Sequence, residues 1–195
     1  VKTVAPKVEE AGDASQYGLF VKDLRQRRKL TLDQLADRTE LSKGHLSRFE
    51  RGEKALSLAA LIRVANVLGT SVSTLLGERV AEGALHLVRH QERKYRKAPK
   101  GDGGYAFSAL SRASSTSGTT AVIVEIPARS SRSSSAYHAG EEMLFVVEGG
   151  IEIEFPDQSM VLQKGDFLQF PGHLRHTLKG QASRSQVFIA IVGSS

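Results

Sequence analysis

The chain of 195 residues contains no cysteine, which removes disulfides, thiolate metal sites and cysteine nucleophiles from consideration. No stretch comes near the ~18 consecutive apolar residues that a membrane-spanning helix requires. The first thirty residues are too acidic and too broken for a signal peptide. No membrane contact is expected, and the cytoplasm is the expected location. What is present is the make-up of an ordinary globular protein, 40% hydrophobic and 25% charged, with room for one large domain or two small ones.

Positive charge is in excess, at +6, and it is unevenly placed. Residues 1–78 carry a net +3, residues 79–132 a net +6 and residues 133–195 a net −3. A basic front and middle with an acidic back points to two functions on one chain, and the excess permits a polyanionic partner.

The pattern divides the same way. Residues 1–15 lack an apolar period and read as a loose arm. From Tyr17 to Gly77 the pattern is helical in short pieces. Leu19, Phe20 and Leu24 sketch a first amphipathic helix, and Thr31, Ser42, Ser57 and Ser71 are placed to cap four more. Gly69 is placed to end the fourth. Beyond Gly77 come short β-type runs: Tyr105–Leu110, Thr119–Ile126, Met143–Val147, Ile151–Phe155, Met160–Leu162, Phe167–Phe170 and Gln186–Val192. Turn residues at Gly149–Gly150, Pro156–Asp157, Gly165–Asp166 and Pro171–Gly172 punctuate them, as in an antiparallel sandwich or barrel. The expected divisions are 1–15, 16–78, a basic linker or edge strand at 79–102, and a β domain at 103–195. Arg89–Lys97 reads as a charged edge strand, with a phosphate-contacting patch as the other reading. Ser130–Ser135 reads as a polar loop.

The segment TLDQLADRTELSKGHLSRFERG, Thr31 to Gly52, has the layout of a helix-turn-helix, with Thr39–Glu40–Leu41 as the turn. At 100° per residue Leu46 and Phe49 face a bundle, while Gly44, Ser47, Arg48 and Arg51 face outward with Lys43 at their edge. That face is small, cationic and rich in donors, which suits a major groove. His45 is expected to pack at the rim. Tyr17 to Gly77 resembles the lambda-repressor-like DNA-binding domain of xenobiotic-response-element-type bacterial regulators. The resemblance rests on LRQRRKLTLDQLA and on LSKGHLSRFERGEKALSLAALIRVANVLG. It implies that Lys43, Gly44, Ser47 and Arg48 lie at or beside base-reading positions, and that Arg25 and Glu50 form an internal ion pair. Two residues depart from the pattern: Glu40 stands where glycine is common, and Leu32 where a phosphate-binding glutamine is common.

In the β half, His138 and Glu142 stand four apart before a strand, and His176 follows another. Two imidazoles and a carboxylate can form a facial triad for a divalent ion; a polar effector pocket is the other reading of the same residues. YHAGEEMLFVVEGGIEI and KGDFLQFPGHLRH resemble the two motifs of the cupin family, with His138, Glu142 and Gly149 in the first and Gly165, Pro171 and His176 in the second. The resemblance implies an α+β chain, a five-helix DNA-binding bundle followed by a cupin double-stranded β-helix barrel. The departures are Ala136 in place of a leading histidine, Ser130 and His173 in place of glycines, and Gly180 in place of an asparagine. His173 is expected to point away, Glu141 to face solvent, and His86 and His90 to be exposed.

Together the halves resemble regulators that join this helix-turn-helix to a C-terminal cupin sensor. The expected function is a sequence-specific transcription regulator, not an enzyme. Its expected partners are double-stranded DNA and a small-molecule effector. A bound divalent metal (Fe, Zn, Ni or Mn) is the expected cofactor if the triad is filled. A homodimer is expected because one recognition helix reads too few base pairs. The alternative is a non-haem iron epoxidase acting on hydroxypropylphosphonate, with Tyr105 as a pocket residue; against it, Thr31 stands about where such an enzyme offers a lysine.

Overall fold

The computed structural model describes residues 14–77, 85–96, 105–112, 119–128 and 135–193. The readings placed on the arm at 1–13, on 78–84 and 97–104 of the linker, and on the serine-rich loop at 130–134 lie outside the described residues.

Five helices lead the chain: α1 (Ala14–Arg27), α2 (Leu32–Thr39), α3 (Lys43–Glu50), α4 (Leu58–Val67) and α5 (Val72–Leu75). Thr31, Ser42, Ser57 and Ser71 each accept a hydrogen bond from the backbone N–H three residues on, and Thr31 with Gln34 completes a capping box. Each such cap contributes about 0.5–2 kcal/mol, which matters in helices too short to stand alone. The turn between α2 and α3 is made by Glu40 with φ 53°, a left-handed conformation. That backbone is why glycine suits the position.

The face of α1 differs from the one expected. Leu19 and Phe20 are exposed, while Gly18, Val21 and Arg25 are buried. The cause is Gly18: a Cβ there would collide with the backbone carbonyl of Phe49. Close approach of α1 to α3 fixes the rotation of α1 and turns the 18, 21, 25 stripe inward. Arg25 then forms a bidentate pair with Glu50, at 2.7 and 2.8 Å, and donates to the Leu30 carbonyl at 2.9 Å.

Eight strands follow: β1 (Ala106–Ala109), β2 (Thr119–Pro127), β3 (Glu141–Glu148), β4 (Gly150–Glu154), β5 (Ser159–Gln163), β6 (Phe167–Pro171), β7 (Thr177–Gly180) and β8 (Arg184–Val192). They form a five-stranded sheet ordered β1-β2-β8-β3-β6 and a three-stranded sheet ordered β5-β4-β7, paired antiparallel throughout. Two isolated bridges, Ala128 to Gly180 and Ala136 to His176, join segments flanking the sheets. The short β7 has no counterpart among the expected strands. It ends at Gly180, where a Cβ would meet the carbonyls of Ile126 and Pro127 at 2.9 and 2.7 Å. That close approach accounts for glycine at a position where asparagine was expected.

Among its described residues, 85–96, the basic segment before β1 forms no strand. His90–Glu92 is a 3-10 turn, and only Arg96 pairs, with Phe107 on the edge of β1. Tyr95 is fully buried, and Arg96 reaches the helices, stacking on Tyr17 and donating to the Leu76 carbonyl at 3.1 Å. The buried apolar side chains of the helices and of the barrel form one continuous cluster. Among the described residues no helix is long and apolar enough to cross a membrane.

Candidate nucleic-acid interface and barrel pocket

On α3, Leu46 and Phe49 are buried, at 0% and 3% exposure. Lys43, Gly44 and Arg48 are exposed and Ser47 is half-buried on the outer face. Lys43 pairs with Asp33 of α2 at 2.8 Å, and Arg51 pairs with Glu53 and donates to the Ser47 hydroxyl. These pairs are exposed, so water and salt screen them. Among the described residues Arg48 makes no hydrogen bond or ion pair that would hold it back. His45 is half-buried at the rim, as expected.

In the barrel, His138, Glu142 and His176 meet, each 3% exposed. His138 Nε2 lies 2.7 Å and His176 Nε2 3.4 Å from Glu142 Oε2. Each imidazole turns its Nδ1 to a backbone carbonyl, His138 to Ala139 at 3.0 Å and His176 to Leu174 at 2.8 Å. A carbonyl only accepts, so Nδ1 of each ring carries a proton and Nε2 faces the carboxylate. Burial pulls the pKa of His138 down, but the hydrogen bond and charge of Glu142 outweigh it, and the pKa is raised. Facial ligands about 2.1 Å from a metal stand about 3 Å apart, close to the spacing here. As the side chains stand, however, they are closed on one another by the short His138–Glu142 hydrogen bond. Among the described residues no group of three or more histidine, aspartate or glutamate side chains stands in an arrangement that could hold a metal ion.

Gly172 holds this arrangement from below. A Cβ at Gly172 would overlap the His138 ring, while its carbonyl accepts from the His138 backbone N–H at 2.9 Å. His173 is exposed and outside the cluster, Glu141 faces solvent, and His86 and His90 are exposed, all as expected.

The structure adds a group that the sequence reading missed. Tyr137, next to His138, donates its hydroxyl to Glu40 Oε2 at 2.6 Å, in the turn between α2 and α3. The guanidinium groups of Arg63 and Arg175 stack on its ring at 4.5 and 4.2 Å. Arg63, on α4, also donates to the carbonyls of Thr39 and Tyr137 at 2.7 and 3.2 Å. The hydrogen bond to Glu40 holds the phenol proton and raises the pKa of Tyr137. His138 thus follows Tyr137, which bonds the turn of the helix-turn-helix, and His176 follows Arg175, which stacks on that tyrosine. The only signal in the sequence was Glu40 itself, a bulky acid where glycine is common.

A cavity opens beside the triad, with about 70 Å³ of space for the centres of water-sized molecules. Its walls come from the barrel, including Tyr105, Phe107, Val124 and Ile189, and from Leu56 to Ala59 and Ile62 at the start of α4.

Comparison with known proteins matches each half separately. Residues 21–75 match the helix-turn-helix family and residues 122–192 the cupin domain family. The immunity repressor protein of Bacillus phage phi105 is 34% identical over 85 residues, 44% of this chain and 55% of that protein. The chain therefore spans about half the length of that curated relative. A helix-turn-helix family transcriptional regulator from Vibrio cholerae has a similar fold, with a TM-score of 0.71 and 22% identity over 94% of this chain and 98% of that one. Hydroxypropylphosphonic acid epoxidase from S. wedmorenis, in complex with fosfomycin, gives a TM-score of 0.47 and 24% identity, over 92% and 99% of the two chains.

Proposed function

We propose that this chain, which carries a helix-turn-helix domain of the lambda-repressor-like type followed by a C-terminal cupin domain, is a sequence-specific transcription regulator. It acts in the cytoplasm, binds DNA as a homodimer and responds to a small molecule in its barrel. The observation that carries the reading is the outer face of α3, where Lys43, Gly44 and Arg48 stand exposed around Ser47 on a capped, rigidly backed helix. Lys43, Gly44, Ser47 and Arg48 meet the edges of bases or the adjoining phosphates. The similarity to a phage immunity repressor supports the same reading. Arg48→Ala is expected to weaken binding by about 1–3 kcal/mol per half-site if the guanidinium reads guanine bidentately. Fluorescence anisotropy on a selected site measures this, and unchanged affinity would remove Arg48 from the base-reading set.

The dimer has a candidate contact on the barrel. Phe145 and Phe167 are register partners on β3 and β6, 41% and 59% exposed, and Val147, two residues along β3, is also exposed. Exposed apolar residues grouped in this way favour association. Phe145→Glu with Phe167→Lys is expected to give a monomer in sedimentation velocity and to weaken operator binding. A dimer that persists would place the contact elsewhere.

His138, Glu142 and His176 would hold a divalent metal. The donor set, two imidazoles and a carboxylate, fits Fe, Zn, Ni or Mn, and the Nδ1 hydrogen bonds pre-set both rings. When bound, the metal would supply a Lewis-acidic position for an oxygen of the effector. The expected result is one divalent ion per chain in elemental analysis of purified protein, lost in Glu142→Ala. A metal-free wild type after growth in supplemented medium would leave the three residues as a hydrogen-bonded polar pocket.

The enzymatic alternative, epoxidation of a phosphonate, is less well supplied. Among the described residues, those lining the cavity include no lysine or arginine to meet a dianionic phosphonate. Iron-dependent oxygen consumption with a phosphonate would support it, and none is expected.

A further inference from the structure

The cavity is walled by both domains, and this has a consequence for what it binds and for what binding does. We infer that it is a site for a small uncharged molecule with a hydrocarbon body and one oxygen head group, an alcohol or carbonyl compound of about five non-hydrogen atoms, held between the first turn of α4 and the barrel. That this molecule acts as the effector rests on the regulator reading above.

The size follows from the space. A dry cavity of about 150 Å³ holds benzene, with its six carbons; about 70 Å³ here takes about three non-hydrogen atoms, and the open side admits the rest of a small branched molecule. The hydrocarbon body follows from the walls. Leu58, Ala59 and Ile62 on the helical side meet Val124, Ile189 and Ile191 on the barrel side. The head group follows from what is polar and still has capacity. Tyr105 is spent, because its hydroxyl donates to the Leu178 carbonyl and accepts from the Leu178 N–H at 2.9 Å. Thr177 donates to Glu154 at 3.1 Å. That leaves Ser57, whose hydroxyl accepts from the Ala60 N–H at 3.3 Å and still has a proton to give, and the His176 and Glu142 end, where the Nε2 and carboxylate oxygens can accept one from a hydroxyl.

Charge decides against an ion. Among the described residues no lysine or arginine lines the cavity, so a carboxylate would find no cationic partner among them. The single carboxylate of the lining already has His138 at 2.7 Å, so an ammonium would find its partner taken. Burying an unpaired ion costs far more than one hydrogen bond returns.

Because α4 forms one wall, ligand binding and domain docking are linked. A ligand that touches both walls stabilises the docked arrangement according to its concentration over its dissociation constant. Undocking would open one side of the site. Docking also fixes where α3 points relative to the barrel, through Arg63, Tyr137 and Glu40.

The test uses the full chain, freed of divalent ions with EDTA, and three isosteric probes: 2-methylpropan-1-ol, isobutyrate and isobutylammonium. Amide shifts in two-dimensional NMR are followed during titration, and DNA binding is measured separately. The alcohol is expected to shift the amides of Leu58, Ala59 and Ile62 together with those of Ile189 and Ile191, and to bind at least tenfold more tightly than either ion. Ala59→Phe is expected to abolish the shifts on both walls while the protein still unfolds cooperatively. If that variant fails to fold, the wild-type shift pattern alone decides. Shifts confined to the barrel, tighter binding of an ion, or no binding of any probe would each overturn the inference. Selection of no DNA motif would instead defeat the regulator reading, and would leave the binding result intact.

Discussion

Replacing Arg25 with methionine is expected to destabilise the helical domain by about 3–5 kcal/mol, because it leaves the Glu50 carboxylate buried without its cation. The side chains of Arg25 and Glu50 are 10% and 5% exposed, and their two hydrogen bonds tie α1 to the last residue of α3. Arg25 also satisfies the Leu30 carbonyl just past the end of α1. The same loss is expected for Glu50→Ala, which strands the guanidinium. The double substitution Arg25→Met with Glu50→Leu is expected to recover most of the loss, since an apolar pair of similar volume removes both buried charges. Urea unfolding of the four proteins measures this. Single variants within about 1 kcal/mol of wild type would mean that the pair behaves as a surface bridge and does not organise the bundle. The functional consequence follows from α3, which carries Lys43, Gly44, Ser47 and Arg48. Each single variant is expected to lose DNA binding at temperatures where the wild type is folded, and the double variant to regain it.

The second large effect is expected at Gly172→Ala. The position does not require a left-handed backbone; it requires room, because an added methyl would overlap the imidazole of His138. His138 cannot yield cheaply. Its Nε2 is bonded to Glu142, its Nδ1 to the Ala139 carbonyl, and its backbone N–H to the Gly172 carbonyl. Overpacking of this kind costs about 1–3 kcal/mol, and here it falls on the residues that define the site. Thermal unfolding is expected to show a lowered Tm, and the variant to lose both metal uptake and the alcohol-induced shifts on the barrel wall. His173→Ala, one residue on and exposed, is the control and is expected to change neither. A Gly172→Ala protein with wild-type Tm and metal content would mean that His138 has slack, and that the cluster is less pre-set than its hydrogen bonds indicate.

Much of this was legible in the sequence because local signals agreed with one another. Thr31, Ser42, Ser57 and Ser71 announced four helix starts, and all four cap as expected. The short β-type runs between turn residues announced seven strands. His138, Glu142 and His176 could be paired across 34 residues of chain because motif order, and not spacing, placed them. What escaped notice was set by contacts between distant segments. The rotation of α1 depends on Gly18 lying against the Phe49 carbonyl, and glycine carries no hydrophobicity to signal it. The strand β7 is only four residues long and ends in a glycine fitted under Pro127. Tyr95 sits in a basic run yet is buried, because Arg96 turns away to reach Tyr17. The clasp of Tyr137 on Glu40, with the Arg63 and Arg175 guanidinium groups over the Tyr137 ring, joins four segments that share no local pattern.

That clasp bears on how a signal would travel. Tyr137→Phe removes only the hydroxyl that bonds Glu40, and leaves the ring for both guanidinium groups. Its expected effect is a weaker dependence of DNA affinity on bound ligand, with the unliganded affinity nearly kept, because the turn between α2 and α3 loses its direct tie to the residue beside His138. Anisotropy titrations with and without ligand measure it, and unaltered coupling would show that the tie carries no signal.

The central claim is that α3 of a dimeric protein reads a DNA sequence, and selection of binding sites from a random duplex pool tests it most directly, with Arg48→Ala run in parallel. The expected result is enrichment of a two-fold symmetric motif with half-sites one helical turn apart, lost or degraded in the variant. Failure to enrich any motif, with and without divalent metal, or the same motif enriched equally by both proteins, would contradict it.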